Sequence, residues 1–237
     1  MTEKKKYLLC ERLWIFVLLI FVAGIYGAYT MSVRGGVFCN AQTGNMVRFG
    51  IAIGTGDWGE SLYFLVPMVG YLLGSMVAEI LPRHVRQFRL RWDTLLMLIE
   101  IVAVIVVGLI PASAPHQISQ IIINFICAMQ YNTFRQAEGI GSATTFCTNH
   151  TRMLGSNLSR ILFRRQEHPD AVEKARSHGA MLLSFTLGAA ASGFLCVHFG
   201  VYAIWFALIP LSVLFAVMLR ADLSAEKDLL AVAPRGH

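Results

Sequence analysis

Six apolar runs of near-membrane length, at residues 13–31, 61–81, 93–111, 118–134, 179–198 and 201–220, constrain this chain more than any other feature. Each approaches the roughly 20 residues that a helix needs to cross about 30 Å of hydrocarbon. None keeps the polar face that a soluble core helix turns toward water. Only 14% of the residues are charged, against about 25% in a soluble domain, and mean hydropathy is +0.58. In lipid the backbone must satisfy its own hydrogen bonds, so the runs read as helices and not strands. The expected fold is an all-α polytopic membrane protein, a single transmembrane domain over 1–237 with about six transmembrane helices.

Rings suited to the headgroup region (Trp14, Trp58, Trp92, Tyr63 and Tyr202) lie at or just beyond run ends. The first run exceeds the roughly 7–15 apolar residues of a signal peptide and reads as an uncleaved helix. Five cysteines, at 10, 39, 127, 147 and 196, show neither CxxC nor metal-ligand spacing. They suit packing better than a disulfide framework.

Lysine and arginine set the orientation. They bunch in the N-terminus (Lys4, Lys5, Lys6, Arg12), in 82–92 (Arg83, Arg86, Arg89, Arg91), in 160–178 (Arg160, Arg164, Arg165, Lys174, Arg176) and in the tail (Arg220, Lys227, Arg235). The links 112–117 and Phe199-Gly200 hold none. The positive-inside rule puts every basic segment, both termini included, on the cytoplasmic side of a plasma membrane. The net charge of +6 thus reports loops and suggests no nucleic acid. If residues 37–54 crossed fully, the four arginines of 82–92 would lie outside. This segment, which holds NAQTGNMVR (40–48), must enter and leave on the outer side. Its second half, 46–54, is too apolar for a plain loop and has the length of a re-entrant piece. Irregular backbone at membrane depth has to be buried in protein or line a water-filled cavity.

The arrangement then repeats. Residues 13–111 read as helix, polar motif, helix, basic link, helix, and residues 118–220 follow the same order with the motif ATTFCTNHTRML at 143–154. Aligning Thr43-Gly44-Asn45 with Thr148-Asn149-His150 brings Phe21 near Phe125. Gly70 and Gly74 in one half then match Gly188 and Gly193 in the other as small packing faces. Three strong spans per half is an odd number, so the three-helix repeats would be inverted, an arrangement recurrent in transporters.

Within this frame the polar residues are few. Gln130, Asn132 and Arg135 in MQYNTFR (129–135) suit either a site or, for the amides, interhelical adhesion and, for the arginine, snorkelling. Glu100 lies seven residues into its run, where an ionisable group is a functional hypothesis by default. Arg48 or Arg152, one per motif, is its expected partner. Glu79, beside the basic link, reads as interfacial. Amide donors next to a guanidinium suit a polar or anionic ligand, or merely brace the motif turns. Cys147-x-x-His150 offers too few ligands for a metal site. No GxSxG, HExxH or P-loop pattern occurs, so neither an enzyme nor a cofactor is expected.

NAQTGN at 40–45, MQYNTFR at 129–135 and ATTFCTNHTR at 143–152 together resemble the YoaK-like family of bacterial multi-pass membrane proteins. The resemblance covers nearly the whole chain. It implies a bacterial plasma-membrane protein of this size but supplies no substrate, because the family is functionally uncharacterised. Family members tend to carry Thr-Gly-Asn where this chain has Thr148-Asn149-His150. That departure weakens the internal symmetry and adds a pH-sensitive imidazole.

The functional expectation is a small-molecule transporter or channel with a polar midplane site. Asn40, Gln42, Thr43, Gly44, Asn45 and Arg48 would line it from one half. Gln130, Asn132, Arg135, Thr148, Asn149, His150 and Arg152 would line it from the other, with Glu100 as the charge-coupling group. The alternative is a non-transporting sensor or assembly partner that binds through its basic cytoplasmic links. The expected partners are the lipid bilayer and a small polar or anionic substrate. Small-residue faces also admit a homodimer, though none is singled out.

Overall fold

The computed structural model describes residues 7–85, 90–230 and 232–234. The basic residues Lys4, Lys5, Lys6, Arg86, Arg89 and Arg235, and the side chain of Arg83, lie outside the described residues. Among the described residues eight α-helices carry the fold: α1 (Leu13–Val33), α2 (Gln42–Thr55), α3 (Trp58–Val85), α4 (Trp92–Leu109), α5 (His116–Thr133), α6 (Thr148–Phe163), α7 (Ala171–Phe199) and α8 (Leu208–Arg220). The only sheet among the described residues is a two-stranded hairpin, β1 (Gln136–Ala137) with β2 (Ile140–Gly141).

Among the described residues, four stretches are long and apolar enough to cross a membrane: Leu13–Val33, Trp58–Pro82, Trp92–Leu109 and Ala171–Ala225. The last is not one straight rod. Gly200 takes φ +55 at the end of α7 and starts the 3-10 segment Gly200–Ala207 that leads into α8. The fourth expected run, 118–134, becomes α5 but is not among these stretches, because Gln120, Asn124, Gln130 and Asn132 dilute its apolar character.

Side-chain contacts fix the helix directions. Ser184 and Ser192 of α7 donate to the Val17 and Ile25 carbonyls of α1, so these helices run parallel. On α3, Gly70 meets Ile121 of α5 and Gly74 meets Phe125, so that pair is parallel too. Gln120 bonds the Arg34 carbonyl while Gln130 bonds that of Leu19, so α5 runs antiparallel to α1. Tyr26 and Arg34 of α1 reach Glu100 and then Val107 and Ile110 of α4, a parallel pairing. α8 returns antiparallel to α4, with Trp205 near Ile105 at one end and Asp222 against Arg91 and Thr94 at the other. The starts of α1, α4 and α7 and the ends of α5 and α8 thus share one end of the bundle. That end carries the described basic links and is called the basic end below.

The first run is the central helix of the fold. Twelve residues of α1, from Ile15 to Thr30, are buried. Most expected interfacial aromatics are open, with Trp58 66% and Tyr202 55% exposed. Trp92 differs: it is buried, and its Nε1 donates to Thr133 Oγ1 at 2.8 Å.

Candidate functional site

The chain does not continue outward after α1. It doubles back, and Asn40 Nδ2 donates to the Ala23 carbonyl at 3.0 Å. Ten residues separate Ala23 from Val33, so residues 34–40 descend roughly 15 Å along α1. There α2 starts, and its 14 residues climb back to Gly56, whose φ of +76 ends the helix with its N–H on the Ala52 and Ile53 carbonyls. Glycine adopts this left-handed cap without the steric penalty of a β-carbon. The segment 34–57 therefore enters as irregular chain and leaves as helix on the same side.

The second motif does the same from the basic end. After α5 the hairpin and residues 142–147 turn back along α5. Gln130 Nε2 bonds the Thr144 and Leu19 carbonyls, both at 3.3 Å, and α6 then starts at Thr148. Ala23 and Leu19 are one turn of α1 apart, about 6 Å. The two motifs thus arrive from opposite ends and stop within a turn of each other, against the α1–α5 crossing.

The result is a buried polar seam. Gln42 Nε2 donates to Asn124 Oδ1 at 2.8 Å, and Asn124 Nδ2 to the Gln120 carbonyl at 2.8 Å. Asn45, with no exposed surface, pins the descending chain: its Oδ1 accepts from the Phe38 N–H at 3.0 Å and its Nδ2 donates to the Phe38 carbonyl at 2.6 Å. Its Nδ2 also reaches Gln42 Oε1 at 3.0 Å. Gly44 packs on the Phe38 ring, where a β-carbon would stand 2.8 Å from Cδ2. His150 repeats the role of Asn45. It too is fully buried and bonds seven residues back, Nε2 to the Ala143 carbonyl at 2.7 Å. A carbonyl only accepts, so Nε2 holds the proton and neutral His150 presents a bare Nδ1. His178 Nδ1, 2.9 Å away on α7, must then be the donor. That leaves His178 Nε2 as a buried acceptor with no partner among the described residues.

Several expected residues lie elsewhere. Thr43 and Thr148 are exposed and outside the seam. Arg48 is exposed, donates to the Gly36 carbonyl at 2.7 Å and stacks over Phe38 and Phe64. Arg152 is exposed and bonds Asn149 Oδ1 at 3.0 Å. Neither guanidinium meets Glu100, contrary to expectation. Glu100 is fully buried, and the Tyr26 hydroxyl donates to its Oε2 at 3.1 Å while Oε1 has no partner among the described residues. Asn132 ties α5 to Ser75 of α3 at 3.2 Å, the interhelical alternative. Arg135 pairs with Glu79 at 3.6 Å on the surface, in keeping with an interfacial Glu79. Cys147 is half-buried, and burial pushes its thiol up to about 11, which leaves it a poor nucleophile.

Sequence reasoning missed Asn124, Tyr26, Thr144, His178 and Arg34. Arg34 is the largest fully buried side chain among the described residues. Its guanidinium donates to Tyr29 Oη and to the Val107, Ile110 and Pro111 carbonyls at the end of α4. Cations suit a helix C-terminus, so Arg34 is spent on holding α4 and is not open to a ligand.

Residues 15–217 match the model of a family described as "Protein of unknown function (DUF1275)", and the chain belongs to that family. No curated protein matches the chain, and no solved structure does.

Proposed function

We propose that this member of the DUF1275 family is a plasma-membrane transporter or channel for a small polar or anionic solute. The observation that carries the reading is the convergence of the two motifs, from opposite ends, within one helical turn. Helices interrupted at mid-depth recur at transporter sites, where their N-termini and freed backbone groups face the solute. Gln42, Asn45 and Asn124 would contact it from one side and Gln130 and Thr144 from the other, with Glu100 and Tyr26 as the charge-coupling pair.

In this reading the chain crosses six times, through α1, α3, α4, α5, α7 and α8, and its two halves are inverted repeats. Exchanging α1 with α5, α2 with α6, α3 with α7 and α4 with α8 carries the packing onto itself. Thus α1 on α7 becomes α5 on α3, and α2 on α3 becomes α6 on α7. A shift of 105 residues takes the buried pair Asn45 and Ala52 of α2 onto the buried pair His150 and Asn157 of α6. The antiparallel crossing of α1 and α5 supports inversion. The basic end faces the cytoplasm.

The test is flux of small polar and anionic solutes into proteoliposomes. Gln42→Ala, Gln130→Ala and Glu100→Gln should each reduce flux of any solute the parent carries, while Thr148→Ala, outside the seam, should not. Unchanged flux in the three seam variants, or no flux of any solute through the parent, would overturn the reading.

A further inference from the structure

Beyond α8 the chain folds back over the basic end as the turn Ala221–Ala225 and the 3-10 turn Lys227–Leu229. Much of what holds it there is polar. The side chain of Arg91 is 4% exposed; it pairs with Asp222 at 3.3 Å and Glu226 at 3.5 Å. The same guanidinium donates to the Leu229 carbonyl at 2.8 Å. Asp222 Oδ2 also accepts from the Arg91 N–H at 3.0 Å and the Thr94 hydroxyl at 2.7 Å. Glu226 Oε1 accepts from the Leu9 N–H at 2.8 Å. Apolar packing is partial: Ala221 is buried and Leu229 half-buried against the core, whereas Leu223 is 57% and Val232 49% exposed. Beside the Leu9–Glu226 bond, an open pocket of about 480 Å³ is lined by the tail on one side and by Leu8, Leu9 and Arg12 on the other, where a permanent core contact would be close-packed.

The tail also sits in line with the seam. Phe134 N–H bonds the Gln130 carbonyl at 3.0 Å, one turn toward the basic end. Its ring meets Phe16 edge-to-face at 6.0 Å. Below that aromatic pair, Pro234 closes over Cys10, Asp93 and Thr133 and leaves only about 10 Å³, little more than one water probe.

We propose that the tail, residues 221–230 with Val232 and Pro234, is a detachable latch that shuts the basic end of the seam and is clamped by Arg91. The latch rests on the reading of the seam as a solute path. Its release frees Cys10 first and then the route past Phe16 and Phe134.

Cys10 is a native reporter, 4% exposed beneath the tail, with its thiol pushed well up by burial. The experiment uses the full chain in nanodiscs, which expose both faces, with Cys39, Cys127, Cys147 and Cys196 replaced by alanine. A maleimide reagent then reports Cys10. Arg91→Gln, and separately Asp222→Asn with Glu226→Gln, should each speed labelling tenfold or more. Two routes to release keep the test valid should either variant fold poorly. Labelling that stays at the parent rate in both overturns the latch. A second reporter, Thr144→Cys beside Gln130 in a chain with Cys10 also replaced, separates the latch from the transport reading. Its labelling on release supports both. Labelling of Cys10 without Thr144→Cys leaves the latch standing and overturns the seam as a solute path.

Discussion

Adding one methyl group where α1 meets α7 should force the two helices apart. A β-carbon on Gly188 would stand 2.9 Å from the carbonyl carbon of Phe21, and one on Gly24 would stand 2.9 Å from the backbone nitrogen of Ala189. In the other pair, a β-carbon on Gly74 would stand 3.0 Å from the carbonyl carbon of Phe125. The obstacles are backbone in well-packed helices, so no flexible side chain can give way. Overpacking of this kind costs about 1–3 kcal/mol, and backbone obstacles put these sites near 3. Alanine's better helix propensity returns about 1 kcal/mol. The net loss is about 2 kcal/mol, a fall in Tm of about 4–8 °C for a chain of this size. Gly193 and Gly155 have nothing within 4 Å of a built β-carbon, so alanine there should melt with the parent or slightly above it. Combining Gly24→Ala with Gly188→Ala should cost less than the sum, because the first separation makes room for the second methyl. Tryptophan-fluorescence melts in detergent measure all of these. If Gly188→Ala melts with Gly193→Ala, the close approach of α1 and α7 is refuted.

Arg34→Lys should destabilise by about 2–3 kcal/mol in the same melts, since one ammonium cannot serve Tyr29 and three carbonyls at once and buried acceptors are left unpaired; a parental Tm would contradict this. Asn45→Ala removes both bonds to Phe38 and should raise hydrogen exchange in 34–41 while sparing 142–147, and His150→Ala should do the reverse; loss of protection in both loops from either change would break the paired assignment. Burial disfavours the Cys147 thiolate, so its maleimide rate should keep climbing with pH toward about 11. A plateau near 9 would show a free thiol.

The apolar runs were legible because length against bilayer thickness is a coarse and strong signal. The doubling back was expected for 37–54 from two signals together: the four arginines of 82–92, which the positive-inside rule disfavours outside, and the apolar 46–54, which does not suit a plain loop. Small-residue packing was half legible: Gly70, Gly74 and Gly188 meet a neighbouring helix, whereas Gly193 faces open space. The polar motifs misled where consecutive residues were taken as one surface. Successive helix positions rotate by 100°, so Asn45 turns inward while Thr43 and Arg48 turn outward, and His150 turns inward while Thr148 and Arg152 do not. Glu100 was matched to guanidinium groups, but a tyrosine hydroxyl inside an apolar run met it first. Asn124 was hidden because one amide in a hydrophobic run carries no pattern and its partner Gln42 lies 82 residues away. Arg34 drew no reading from the sequence; its role needs the end of α4 beside it, which no local pattern shows.

The opposed entry of the two motifs can be tested most directly by placing single cysteines just beyond the point where each half-helix ends. In a cysteine-free chain, Gly59→Cys follows α2, and Glu167→Cys lies between α6 and α7; both positions are exposed. Intact cells treated with a membrane-impermeant thiol reagent should label position 59 and leave position 167 protected until the membrane is opened. Equal labelling, or equal protection, would put both positions on one side of the membrane and contradict the inverted arrangement on which the seam depends.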